Sequence, residues 1–195
     1  LESSYLTIVG DIVPVVNTPP ELKTIVGDLD KRIRKLEQSP EKRPYAEAYD
    51  TTVQTAASAT TAYTMSINTL ADSNLITLGS NAFTVQRTGV YFIMISIQFY
   101  NTDTADSDGE FWLQVDSVDV PWSNSRVSVP GKHGSTSGHI LASVNYIAAL
   151  NAGQSFRFRW EVETTAVGIL SETGLISPTR PSIPGVIVTV NEIAW

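Results

Sequence analysis

The sequence predicts an all-β fold, an antiparallel β-sandwich (jelly roll) head preceded by a short N-terminal α-helical coiled-coil stalk and an extended arm. Two patterns predict it. From Tyr45 onward, apolar and polar residues alternate with period two in short runs separated by turn residues, and no crossover helix interrupts them. Before that point Leu22, Val26, Leu29, Ile33 and Leu36 stand four, three, four and three apart, the a/d spacing of a helical seam.

The arm comprises residues 1–17, a β-branched stretch without strong helical period that is cut off at Asn17-Thr18-Pro19-Pro20. It reads as a strand or extended peptide that docks on a partner or sister subunit, or else lies along the head. The stalk covers 18–39. Thr18, Pro19 and Glu21 form a capping box with a proline-initiated first turn, and Pro40 stops the helix. With Leu22 at d, Arg32 at g faces Glu37 at e of a neighbouring chain, which favours parallel association. The seam is short, and Gly27 costs the helix about 1 kcal/mol relative to Ala. Val26 and Ile33 at a with Leu at d favour a dimer by themselves, so the head domain sets the number of strands; the other reading is an amphipathic helix packed on its own domain.

The head covers 45–195. Tyr63, Met65 and Ile67 alternate with polar neighbours, and Leu75–Leu78 and Phe83–Gln86 flank the turn Gly79-Ser80-Asn81. Val90–Tyr100 is the most apolar run. Its odd members form one apolar face and its even members a mixed one, so it reads as a central strand with protein on both faces. Phe111–Val120 alternates again, and Ile140–Leu150 is a long strand ended by the turn Asn151-Ala152-Gly153. Phe156, Phe158, Trp160 and Val162 alternate with Arg157, Arg159, Glu161 and Glu163, giving one core face and one wet face; Gly185–Trp195 is the last strand.

Composition narrows the function. The formal charge of -7 opposes electrostatic binding of nucleic acid, and the basic cluster Lys31–Lys35 with Lys42 and Arg43 reads as a solvated face of the stalk. The apolar stretch Tyr5–Val16, broken by Asp11 and Pro14, is too short for membrane insertion or a signal peptide, although a leader removed ahead of Leu1 is compatible with the sequence. Without cysteine there is no disulfide, thiolate metal site or thiol catalysis, and no Asn-x-Ser/Thr acceptor occurs.

Three stretches carry a family resemblance. Phe83–Phe92, with Gly89 between two strands, resembles the strand, glycine turn and aromatic strand of the trimeric jelly-roll heads of tumour necrosis factor and the complement first-component globular domain. Val144–Trp160, with Leu150-Asn151-Ala152-Gly153, is similar to the long strand and tight turn near that family's carboxy end, and Ile183–Val188 resembles its final interior strand. The resemblance implies a homotrimer whose axis is lined by apolar and aromatic side chains. Phe92, Met94, Tyr146 and Trp195 are the head residues with that character. The arm, short coil and jelly-roll head together look like bacteriophage spikes, fibre tips and decoration proteins, and the lack of cysteine and of glycosylation acceptors fits assembly in a bacterial cytoplasm.

Candidate chemistry lies in three loops. Asp103, Asp106 and Asp108 supply hard oxygen ligands suited to calcium, but their spacing departs from the EF-hand pattern, and a solvated hairpin tip is the alternative. His133 and His139 flank a glycine-serine loop that either meets its copies at a threefold axis to bind a transition metal or is a surface loop; Gly134–Gly138 mimics a nucleophile elbow with Thr136 at its centre. Trp122 offers a platform for a sugar or tucks onto the sandwich edge. Ser171–Pro184 reads as a long recognition loop.

These features point to a non-enzymatic virion protein without an obligate cofactor. It self-associates, contacts other virion proteins through its arm, and presents its head to a host cell-surface glycan or protein or braces a capsid. The alternative is a soluble signalling or lectin-like trimeric module. A glycan-cleaving or metal-dependent enzyme using Glu161 and Glu163 is a third class.

Overall fold

The structure is a computed structural model that describes residues 4–8, 11–15, 20–38 and 43–194; at 4–8, 11–15, 20–21 and 34–38 it describes the backbone alone. The chain divides into two compact units, Leu1–Lys42 and Arg43–Trp195.

In the first unit, β1 (Ser4–Ile8) pairs antiparallel with β2 (Asp11–Val15), Ser4 opposite Val15 and Ile8 opposite Asp11. The described part of the arm is thus a two-stranded hairpin rather than a single extended strand. Each half of the segment supplies the other with backbone partners. The helix α1 spans Pro20–Gln38. Its expected cap at Thr18 and Pro19 and its stop at Pro40 lie outside the described residues, as does the side chain of Leu36. Leu22, Leu29 and Ile33 are about half exposed, and Val26 is intermediate.

The second unit is built from strands. It begins with β3 (Tyr45–Asp50), β4 (Gln54–Thr55), β5 (Tyr63–Thr64), β6 (Thr69–Asn74), β7 (Ile76–Gly79) and β8 (Ala82–Val85). The middle holds β9 (Gly89–Asn101), β10 (Ser107–Val115), β11 (Val118–Asp119), β12 (Ser125–Val129) and β13 (Gly138–Leu150). It closes with β14 (Ser155–Val162), β15 (Val167–Ile169), β16 (Leu175–Ile176), β17 (Thr179–Arg180) and β18 (Val186–Ala194).

One large sheet runs β4-β15-β9-β18-β3-β6, with β13 along the other edge of β9. A second runs β11-β10-β14-β8-β7, with β12 beside β10 and β5 beside β14. All pairings are antiparallel, and the main strands β13-β9-β18-β3 and β12-β10-β14-β8 follow an order compatible with a jelly roll.

Alternation places the core between these sheets. Tyr91, Ile93, Ile95, Ile97 and Phe99 of β9 are buried beside Val186, Val188 and Val190 of β18. From the second sheet come Phe111, Leu113, Phe156, Phe158 and Trp160, all buried, and Phe83 stacks on Phe156 at 5.0 Å between ring centres. Each such side chain contributes about 2 kcal/mol of burial free energy, so the period-two pattern fixes which face of each strand points inward.

Two sequence boundaries shift. Phe111–Val120 is not one strand: β10 ends at Val115, Asp116 and Ser117 turn with φ of 46° and 69°, and β11 returns. That pair of left-handed residues makes a two-residue hairpin without the glycine that usually marks one. Ser171–Pro184 contains the β16-β17 hairpin rather than a plain loop.

Candidate functional site

The outer faces of the two sheets differ in chemistry. On the β13-β9-β18 sheet, the even residues of β9 and the odd residues of β13 and β18 point away from the core. Cross-strand pairing sets Ile147 opposite Phe92, Leu141 opposite Gln98 and Ile187 opposite Ser96. Met94 is 37% exposed, Leu141 58% and Ile147 68%. This face is mixed: these apolar side chains alternate with Gln98, Asn145, Thr189 and Asn191, and with Ser96 and Ser143, whose hydroxyls bond each other at 3.0 Å. Singly exposed apolar residues are ordinary; the contiguous part of this face is the group of Phe92, Met94 and Ile147.

Phe92 and Met94, expected at a head interface, therefore do lie on an outward face. Tyr146 does not. It pairs with Ile93 on the inner side, packs on Phe158 at 6.2 Å between ring centres, and donates its hydroxyl to the Ser123 carbonyl at 3.0 Å. Burial pushes its phenol pKa up. Alternation along β13 explains the correction: Ile140, Ala142, Val144, Tyr146 and Ala148 all share the inner parity. Trp195 lies outside the described residues.

The outer face of the second sheet is polar. Glu110 stands opposite Glu161 across β10 and β14, and opposite Arg126 across β10 and β12. Arg126 donates from Nε to Glu110 at 2.6 Å, and Asn124 donates its amide to the other carboxylate oxygen. The Asn124 bond, reinforced by Arg126, holds the Glu110 carboxyl below its usual pKa against the opposing effect of partial burial. Beside it, Trp112 donates its indole N–H to Asp119 at 2.8 Å, and Gln114 donates to the same oxygen at 2.9 Å.

A cavity of about 300 Å³ opens here, lined by Glu110, Trp112, Asp119, Trp122, Asn124 and Glu161. Trp122 is wholly exposed and has a φ of 64°. It does not tuck onto the sandwich edge. Ser123 is what holds it there: that buried hydroxyl donates to the Val120 carbonyl at 2.8 Å and accepts the Leu113 N–H at 3.1 Å. Trp112, hidden in the sequence as one member of a mixed strand face, joins the site because its register puts it on the same side as Glu110.

The other candidate residues do not gather. Asp103 accepts the Thr104 N–H at 2.6 Å, Asp106 accepts the Gly131 N–H at 2.9 Å, and Asp108 pairs with Arg126 at 3.8 Å. Among the described residues no group of three or more His, Asp or Glu side chains is placed to hold a metal. His133 sits in a small bridge with Thr136, both exposed, while His139 faces outward opposite Tyr100. Glycines make this loop possible: an added Cβ on Gly138 would come within 1.7 Å of the Pro130 carbonyl oxygen. Thr136 has no nucleophile-elbow geometry, since its segment turns between strands rather than into a helix.

No protein-family model matches this chain, and no curated protein does. The buried Asp50 is structural. Its carboxylate accepts from Thr52 Oγ1 at 2.7 Å, from Gln54 Nε2 and from Ser66 Oγ, so its charge is compensated inside the fold. Among the described residues no helix is long and apolar enough to cross a membrane, which says nothing about strands.

Proposed function

We propose that this chain is a non-enzymatic structural protein of a bacteriophage virion: a homotrimeric fibre, spike or capsid-decoration protein. Residues 1–17 would attach it to other virion proteins, and the jelly-roll head would face outward for host-surface binding or particle bracing.

The observation that carries this reading is the partly apolar outer face of β13-β9-β18, where Phe92 lies opposite Ile147 and two residues from Met94, with Leu141 and Ile187 further along the same face. Such a surface is stable in water when neighbouring copies cover it, and in a closed threefold ring each copy sets it against a different surface of the next. The heptad stripe of α1, with Leu22, Leu29 and Ile33 half exposed, asks for the same copies. The strand order and the three sequence stretches around Gly89, Gly153 and Gly185 support a head of the tumour-necrosis-factor and complement type. The polar outer face of the other sheet stays free to meet a host or a capsid. Its mechanism is avidity, since three sites held on one rigid particle act at a high effective concentration.

Native mass measurement on the purified chain tests it first: a trimer is expected, and a compact monomer overturns the reading. Deletion of residues 1–17 tests the attachment role. The truncated protein should still fold and associate but no longer co-purify with virions.

A further inference from the structure

We infer that the shallow cavity between Trp112 and Trp122 is a binding subsite for a neutral sugar unit, an assignment that deepens the host-surface reading and rests on it.

The first support is Trp122 itself. A bulky residue at a φ of 64° carries backbone strain that glycine would avoid, and a wholly exposed indole gains no burial. The fold nevertheless anchors the turn that presents it, through the Ser123 hydroxyl bonds to Val120 and Leu113 and through the Tyr146 hydroxyl on the Ser123 carbonyl. Two costs are accepted with no return inside the chain, so the return lies in what the ring touches. A flat indole presented to water from an anchored turn suits the apolar C–H face of a pyranose.

The second support is the array of polar groups around it. Asp119 is satisfied by Trp112 and Gln114, and Glu110 by Asn124 and Arg126. Glu161, which also lines the cavity, has no hydrogen-bond or ion-pair partner among the described residues. A free carboxylate beside an aromatic ring accepts two hydroxyl donors, and the Asn124 amide can donate to a third oxygen. The lining contains Glu110, Asp119 and Glu161 but no lysine or arginine, so an anionic sugar or a phosphate is repelled. Arg126 offsets the charge of Glu110, whereas Asp119 is bonded only by neutral donors and Glu161 by none among the described residues, so their charge remains. It is the match of an aromatic face to hydroxyl acceptors and an amide donor that favours a neutral hexose or N-acetylhexosamine, and a cationic headgroup is the competing occupant the test discriminates.

The test is binding of the full chain to an immobilised panel of neutral hexose and N-acetylhexosamine oligosaccharides, with sialylated glycans and a choline-bearing surface as comparators. Binding to neutral members that weakens roughly tenfold or more in Trp122→Ala and in Glu161→Gln is expected. Trp122→Gly adds a sharper arm: it should lose binding while its melting temperature stays level or rises, because the strained φ is relieved. Absence of neutral-sugar binding, preference for the choline or sialylated surface, or full binding by Trp122→Ala overturns the inference. Loss of association in Trp122→Ala without any sugar binding also overturns it, since the ring would then be a subunit contact. Native mass is read in parallel, so that a trimer without sugar binding sinks the subsite alone and a sugar-binding monomer sinks the trimer alone.

Discussion

Arg87 clamps Glu192 across the end of the β9-β18 ladder. Its Nε donates to one carboxylate oxygen at 2.9 Å and its Nη2 to the other, while the Glu192 side chain is wholly buried. Glu192 lies opposite Tyr91, whose hydroxyl in turn donates to the Arg87 carbonyl at 2.6 Å. A buried carboxylate is tolerated because this fork meets both of its oxygens. Arg87→Ala strands that charge and should cost about 3–5 kcal/mol in chemical denaturation, whereas the double variant Arg87→Met with Glu192→Leu should recover most of the loss. Equal stability of Arg87→Ala and the parent would refute the clamp.

The loop carrying His133 depends on close backbone approach. Gly138→Ala drives a Cβ into the Pro130 carbonyl and Gly131→Ala into that of Thr104. Each should lower stability by about 1–3 kcal/mol. Gly134→Ala meets no atom within 4 Å but strains a φ of 61°, and should cost about 1 kcal/mol. Thermal melts of the three variants give the ranking.

Acid should loosen the second sheet. Glu110 is held below its ordinary pKa chiefly by Asn124, and Asp116 chiefly by the Ser155 backbone N–H with help from Gln154. A depressed folded-state pKa adds stability that is complete above the unfolded value and disappears as pH falls through the folded one. Stability should therefore be level at neutral pH and fall as pH drops below the ordinary carboxylate range. Glu110→Gln and Asp116→Asn should each flatten that fall in urea titrations run across acidic pH.

Charging the apolar outer face should separate association from folding. Ile147 and Leu141 are mostly exposed within the chain, so Ile147→Asp and Leu141→Lys should change head stability by no more than about 0.5 kcal/mol. If three copies bury that face, each variant should sediment as a smaller particle with unchanged circular dichroism. An unaltered particle would place the interface elsewhere.

Much of the head is legible in the sequence where strands are long and one-sided. Burial alternates without exception along β9 and β14, and the odd members Tyr91 to Phe99 of the first and the even members Phe156 to Val162 of the second are wholly apolar in the sequence, since an error of one residue would turn every core side chain to water. β6 is not legible, because its Thr69–Asn74 side chains are mainly polar or exposed and give no period. The hairpin at Asp116-Ser117 and the bend at Leu75, φ 54°, lack the glycine that marks such turns. The site is harder still to read. Trp122 is visible as an unusual residue, but only cross-strand register brings Trp112, Glu110 and Glu161 together from strands far apart in sequence. A register is a property of the assembled sheet, and single-strand patterns do not contain it.

The slot that β18 fills sets a timetable for synthesis. It lies between β9 and β3, so those strands, made early, share no ladder until residues 186–194 emerge from the ribosome. Before β18 arrives, β9 has β13 along one edge and only the short β15 on the other. Until β18 joins, the edges of β9 and β3 that it pairs with expose unpaired backbone groups, so the head's largest sheet closes only by a long-range pairing, the slow and aggregation-exposed kind.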